Sequence, residues 1–151
     1  WVVGSLGVTY LTMHAFGGVE MLRAGVDGLA DGAEKAGLES TTALAVTVLT
    51  SDAGAPSHIL PKRVATAIEA GCGGLVCAVS DAREARLLGP RLTIVTPGIR
   101  PAGAPTHDQA RAATPQEAFD AGADLLVIGR AVTHAPDPVV AAAELVESLG
   151  T

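Results

Sequence analysis

The chain has 151 residues, about one ordinary domain and well short of the roughly 250 that a complete (β/α)8 barrel takes. Hydrophobic residues make up 48% of it and aromatics only 3%, so alanine, valine, leucine and isoleucine must build the core, as in buried parallel strands covered by small-residue helices. A formal net charge of −6 with scattered Lys and Arg argues against a nucleic-acid partner, and no apolar run nears the roughly 18 residues of a membrane span.

Residues 8–14 predict a strand. Residues 19–36 predict a helix, because Leu22, Val26, Leu29 and Ala33 recur at helical spacing on one face. Gly37 suits its C-terminal end, and Asp27, Asp31 and Glu34 read as its solvated side. The run ALAVTVLT at 43–50 predicts a strand buried on both faces, followed by a polar loop over 51–58. Pro61 suits the first turn of a helix reaching residue 70, with Val64 and Ile68 facing inward. Residues 74–78 predict the next strand. Cys72 and Cys77, the only cysteines, flank or lie in it; they read as buried free thiols, and their spacing is not a zinc pattern. Ser80 is expected to cap a helix over 81–88.

Residues 92–95 predict a further strand. A helix over 115–121 has the clearest start in the chain: Thr114 caps, Pro115 sits at N1 and Glu117 completes a capping box. Residues 125–128 predict the last strand, and Asp137-Pro138 opens a final helix to about residue 149. Five strands, each with a helical return, imply one domain over 1–151 with a parallel sheet and right-handed crossovers. With no signal peptide or disulfide framework evident, a reducing cytoplasm is the expected location. The first residue is Trp and the chain opens in mid-pattern, so the N-terminus reads as cut.

The stretch 93–130 carries the chemistry. Arg100 follows one strand, Gly129-Arg130 follows the next, and Gln109 lies in the loop between them. Guanidinium forks and backbone N–H groups beside glycine suit a phosphate dianion, and the loops after strands 7 and 8 of a parallel barrel are the usual phosphate cradle. Either arginine alone reads equally well as a surface residue; the pair reads as a phosphate site. The segment 101–113 is rich in Pro, Gly, Ala and Thr, is long for such a loop, and is expected to be the most mobile one. His14 also closes a strand; with no Asp or Ser partner nearby in sequence, it reads as a structural hydrogen-bonding residue. His58, His107 and His134 read as loop residues, and Asp52 as part of the loop at the pocket mouth.

The words TMHAFGG (12–18), VTVLTS (46–51), GGLVCAVSDA (73–82), VTPGIRPAG (95–103), THDQARAATPQEA (106–118) and GADLLVIGRAVTHAPDP (122–138) occur in one order and spacing. That combination resembles the bacterial orotidine 5′-phosphate decarboxylase family. The resemblance implies an α/β (β/α)8 TIM barrel, of which this chain carries about five βα units, strands 4 to 8, with strands 1 to 3 absent. It implies decarboxylation of orotidine 5′-monophosphate to uridine 5′-monophosphate in pyrimidine synthesis, without metal or organic cofactor, by a cytoplasmic homodimer. Arg130 matches the phosphate arginine and Gly129 a backbone contact to phosphate. Gln109 matches the loop glutamine that reaches phosphate and pyrimidine, Arg100 a ligand-contacting arginine, and Thr50, with Ser51 beside it, the pyrimidine contact. Ala78 departs from the family, which often has Ser there.

The family's chemistry rests on an Asp-x-Lys-x-x-Asp motif at the end of strand 3, with an Asp on strand 1 and a Lys on strand 2. None is present. The only lysines are Lys35 and Lys62, both placed on helices, so no catalytic residue is assigned and the isolated fragment is expected to be inactive. The alternatives are a sugar-phosphate decarboxylase or synthase of a related phosphate-binding barrel, which the words DQ and LTS oppose, and a catalytically inactive half-barrel.

Overall fold

The computed structural model describes residues 1–48, 55–100 and 113–149. Strands and helices alternate: β1 (Tyr10–His14), α1 (Gly18–Ala36), β2 (Thr42–Val46), α2 (Ile59–Glu69), β3 (Gly74–Val76), α3 (Val79–Leu88), β4 (Thr93–Pro97), α4 (Pro115–Asp120), β5 (Leu125–Val127), α5 (Arg130–Thr133) and α6 (Pro138–Glu147). The strands form one parallel sheet in the order β1-β2-β3-β4-β5. Each strand therefore neighbours the next in sequence, which is how a singly wound barrel grows.

The sheet has a covered face and an open one. Ala43, Ala45, Leu75, Cys77 and Ile94 pack with Leu22 and Leu29 of α1, Val64 and Ala67 of α2, and Ala82 and Ala85 of α3. Successive strand side chains alternate, so the other set points away from the helices. On that side β2 to β4 are largely covered by one another, whereas Tyr10 of β1 and Leu125 and Val127 of β5 stay exposed at 44%, 38% and 50%. The two edge strands thus present uncovered inner faces.

α1 forms as expected. Leu22, Leu29 and Ala33 are buried, Val26 is half-buried, and Gly37 ends the helix with φ 67°, a left-handed conformation that favours glycine. Asp27, Asp31 and Glu34 are exposed. α2 departs from expectation. Its buried residues are Leu60, Val64 and Ala67, while Ile68 is 49% exposed. At about 100° per residue the first three centre one stripe and Ile68 falls at its margin. α3 also differs: it begins at Val79 with Ala78 at the N-cap, and no side chain caps it. Ser80 lies inside the first turn and donates to Asp81 Oδ1 at 3.1 Å. Burial of Cys77, Ala78, Val79 and Ala82 sets this start, because the chain must turn directly under the sheet.

The regular pairing of β2 stops at Val46, although Thr47 and Val48 remain buried. Thr47 gives both its N–H (2.9 Å), the last bond of the ladder to β3, and its hydroxyl (3.0 Å) to the Val76 carbonyl, and its own carbonyl accepts from Arg63. At the start of the last two strands, Arg86 of α3 donates to the carbonyls of Leu92 (2.8 Å) and Gly122 (3.0 Å) and to Asp124 Oδ2 (2.5 Å). Asp124 Oδ2 also accepts from the Ile94 N–H at 2.7 Å. This stitch fixes β4 against β5, and with it the spacing of whatever follows their C-terminal ends.

The capping box at α4 is present: Glu117 N–H donates to Thr114 Oγ1 at 3.3 Å, and Thr114 N–H donates to Glu117 Oε2 at 2.7 Å. Hydrogen bonds from the Thr114 backbone and hydroxyl lower the Glu117 pKa below the usual carboxylate value. A carboxylate depressed in the folded state stabilises it above its unfolded pKa, and that contribution disappears as pH falls through the folded value. Replacing Thr114 with Ala is therefore expected to lower the melting temperature at neutral pH and to flatten its fall on acidification. An acid limb unchanged in that variant would show that the box contributes nothing.

Asp137 caps α6 through the N–H groups of Val139 and Val140, as expected. No helix among the described residues is long and apolar enough to cross a membrane.

Candidate functional site

The C-terminal ends of β4 and β5 lie side by side, with Pro97 opposite Val127. Beyond β4 the chain turns at Gly98, whose φ of 80° is accessible to glycine. Ile99 follows, fully buried, and then Arg100, which is 7% exposed. Arg100 is held at its backbone by an N–H bond to the Ala113 carbonyl (2.9 Å), and Ala113 N–H returns to the Gly98 carbonyl (3.3 Å). Ile99 and Ala113 form a parallel bridge. The two residues flanking segment 101–112 are thus clasped together, directly above β4.

The Arg100 guanidinium donates from Nη1 to the Ile99 carbonyl at 3.2 Å, and its buried Nε has no hydrogen-bond partner among the described residues. A buried cation with an unspent donor is costly unless an acceptor completes it. No carboxylate among the described residues does so.

Beyond β5 the sequence reading anticipated Gly129 and Arg130 but not a helix. The four-residue α5 starts at Arg130 with Gly129 at its N-cap. No side chain caps it, and a Cβ built at Gly129 meets nothing within 4 Å. The first N–H groups of this turn have no side-chain cap, and the arginine beside them is half-buried. A short extra helix after the last strand, with its N-terminus toward the barrel mouth, is a common phosphate seat in such barrels. The helix was missed because four residues give no periodic signal; the glycine immediately before the arginine was the readable cue.

Arg100, Gly129 and Arg130 thus share one end of two adjacent parallel strands. Thr50 and Gln109, with Ser51, Asp52 and His107, lie outside the described residues, as does most of the segment expected to be mobile. Lys35 is in the last turn of α1, at the opposite end of the sheet, 5.7 Å from the Trp1 ring centroid. Lys62 is exposed in α2, on the helical layer. Neither is a strand residue, and Lys62 lies in the first turn of α2 beside Ala15, Phe16 and Gly18, which follow β1. Both cysteines are buried, and burial raises the Cys72 pKa, so that thiol stays protonated. His58 and His134 are exposed at helix ends. No group of three or more metal-ligating side chains occurs among the described residues.

The profile described as "Orotidine 5′-phosphate decarboxylase / HUMPS family" matches residues 2–145. The chain belongs to this family. Orotidine 5′-phosphate decarboxylases of Thermobifida fusca and Frankia casuarinae are 46% and 44% identical to it over 97% and 95% of its length. The solved orotidine 5′-phosphate decarboxylase of Lactobacillus acidophilus superimposes with a TM-score of 0.81 at 30% identity, covering 99% of this chain. The chain spans 64% and 53% of the two relatives and 66% of the solved one. Its five-stranded sheet is thus part of the family's TIM barrel, and the exposed inner faces of β1 and β5 are those that further strands of a barrel cover.

Proposed function

We propose that this chain forms the phosphate- and pyrimidine-binding part of an enzyme that converts orotidine 5′-monophosphate to uridine 5′-monophosphate. The observation that carries this reading is the family match together with Arg100 and Gly129-Arg130 at the ends of adjacent strands. In the reaction the bond from C6 to the carboxylate breaks, CO₂ leaves, and the electron pair stays on C6 until a proton quenches it. By the resemblance, the Asp/Lys array that favours CO₂ loss and the lysine that protonates C6 belong to upstream strands. No cofactor takes part, and the enzyme acts in the cytoplasm as a homodimer.

The part played here is remote binding. Arg130, the N–H groups opening α5, and the unspent Nε of Arg100 supply donors to the phosphate; Thr50 and Gln109 address the base. Interactions with non-reacting parts of a substrate close the site and exclude water, and so support a step at a distant atom.

The test uses a completed barrel: this chain preceded by the three βα units that the resemblance places upstream, taken from the Thermobifida fusca relative. Calorimetry is expected to give uridine 5′-monophosphate an affinity at least about 100-fold above that of uridine, since two charge-assisted bonds of about 1.5–3 kcal/mol are lost with the phosphate. Equal affinities would remove the phosphate anchor from the account.

A further inference from the structure

His14 is used by none of the roles above, yet its position is unusual among the strand residues. It is the last residue of β1, paired in register with Val46 of β2. Its neighbour Met13 lies on the helical side, where a Cβ at Gly25 of α1 would strike the methionine sulfur. By strand alternation, His14 faces the other way, into the barrel. The inner set of strand residues also comprises Tyr10 and Thr12, and then only aliphatic residues, glycine, threonine and proline on β2 to β5. His14 is therefore the only imidazole, carboxylate, ammonium or guanidinium on that wall among the described strands. It stands at the C-terminal end, where barrel enzymes do their chemistry. The β1–β2 ladder fixes its backbone from one side, and buried Ala15 fixes it from the other. The imidazole itself is exposed, and it has no hydrogen-bond partner among the described residues, so the structural role anticipated from sequence is not seen.

Strands four places apart in an eight-stranded barrel stand across from one another. β1 and β5 are four places apart. His14 thus faces the Gly129-Arg130 end of the mouth from the opposite wall. A nucleotide whose 5′-phosphate sits at β5 must extend away from it, toward β1. We propose that His14 is a substrate-binding residue that hydrogen-bonds the pyrimidine end of the nucleotide. The inference rests on the proposed function and adds to it a contact that distinguishes nucleotide from phosphosugar.

The experiment compares uridine 5′-monophosphate with ribose 5-phosphate on the completed barrel and on its His14→Ala and His14→Gln variants. Ribose 5-phosphate reads the fold and the phosphate anchor; the nucleotide adds the base. His14→Ala is expected to weaken the nucleotide roughly tenfold, the effect of one hydrogen bond, and to leave ribose 5-phosphate unchanged. His14→Gln, which keeps a donor, is expected to recover part of the loss. An unchanged nucleotide affinity, or equal losses on both ligands, overturns the inference while leaving the proposed function standing. A wild-type completed barrel that does not decarboxylate orotidine 5′-monophosphate overturns the functional reading, and this inference with it, before any variant is compared.

Discussion

Replacing Arg130 with Ala in the completed barrel is expected to lower kcat/KM for orotidine 5′-monophosphate by about two to three powers of ten. Arg130 begins α5 just after β5, next to a glycine N-cap at which an added Cβ would meet nothing within 4 Å. A guanidinium on a phosphate dianion gives one or two charge-assisted bonds, at about 1.5–3 kcal/mol each, and each 1.4 kcal/mol is about tenfold. Arg130→Lys is expected to recover only part of this, because an ammonium keeps the charge without the planar fork. The loss is expected to shrink for a substrate lacking the phosphate, which separates an anchoring role from damage to the fold. Steady-state kinetics on both substrates check this; an unchanged kcat/KM for the phosphorylated one contradicts the assignment.

The second large effect is all or none. The 151-residue chain alone is expected to release no CO₂ from orotidine 5′-monophosphate and to bind uridine 5′-monophosphate weakly at best. The groups proposed above address a phosphate and a base, and none of them is proposed to supply a proton to C6. Lys35 is stacked near Trp1 at the far end of α1, and Lys62 is exposed on the helical layer. Both are helix residues, and neither stands on the inner wall of the sheet. The open inner faces of β1 and β5 add a second reason. Exposed edge strands favour association over a defined pocket. Decarboxylation by the purified chain, verified by mass and free of host enzyme, would contradict this.

Much of the fold was legible because local chemistry and burial agree. The stripe Leu22, Val26, Leu29 and Ala33 and the stop at Gly37 gave α1 to within a residue, and Thr114-Pro115 with Glu117 gave the start of α4. Failures occurred where packing overrode a local cue. Ser80 is a good cap in isolation, but the buried run Cys77–Val79 carries the chain into α3 before it. Ile68 matches the period of Val64, yet small Ala67 takes the buried place. For the candidate site, the word PGIR and the word VIGR placed Arg100 and Arg130 on neighbouring strand ends. What they could not convey is tertiary: the clasp of Ile99 on Ala113, the burial of the Arg100 guanidinium, and the Arg86–Asp124 stitch that sets β4 against β5. Asp124, a lone acid just before the apolar run of β5, was the one visible sign of that stitch.

The most direct test of the account is the fate of carboxyl-labelled orotidine 5′-monophosphate on the completed barrel, in buffer containing a chelator. Labelled CO₂ and uridine 5′-monophosphate are expected in equal amounts, with both suppressed together in Arg130→Ala. A folded completed barrel that binds the nucleotide yet releases no label would contradict the proposed decarboxylase function.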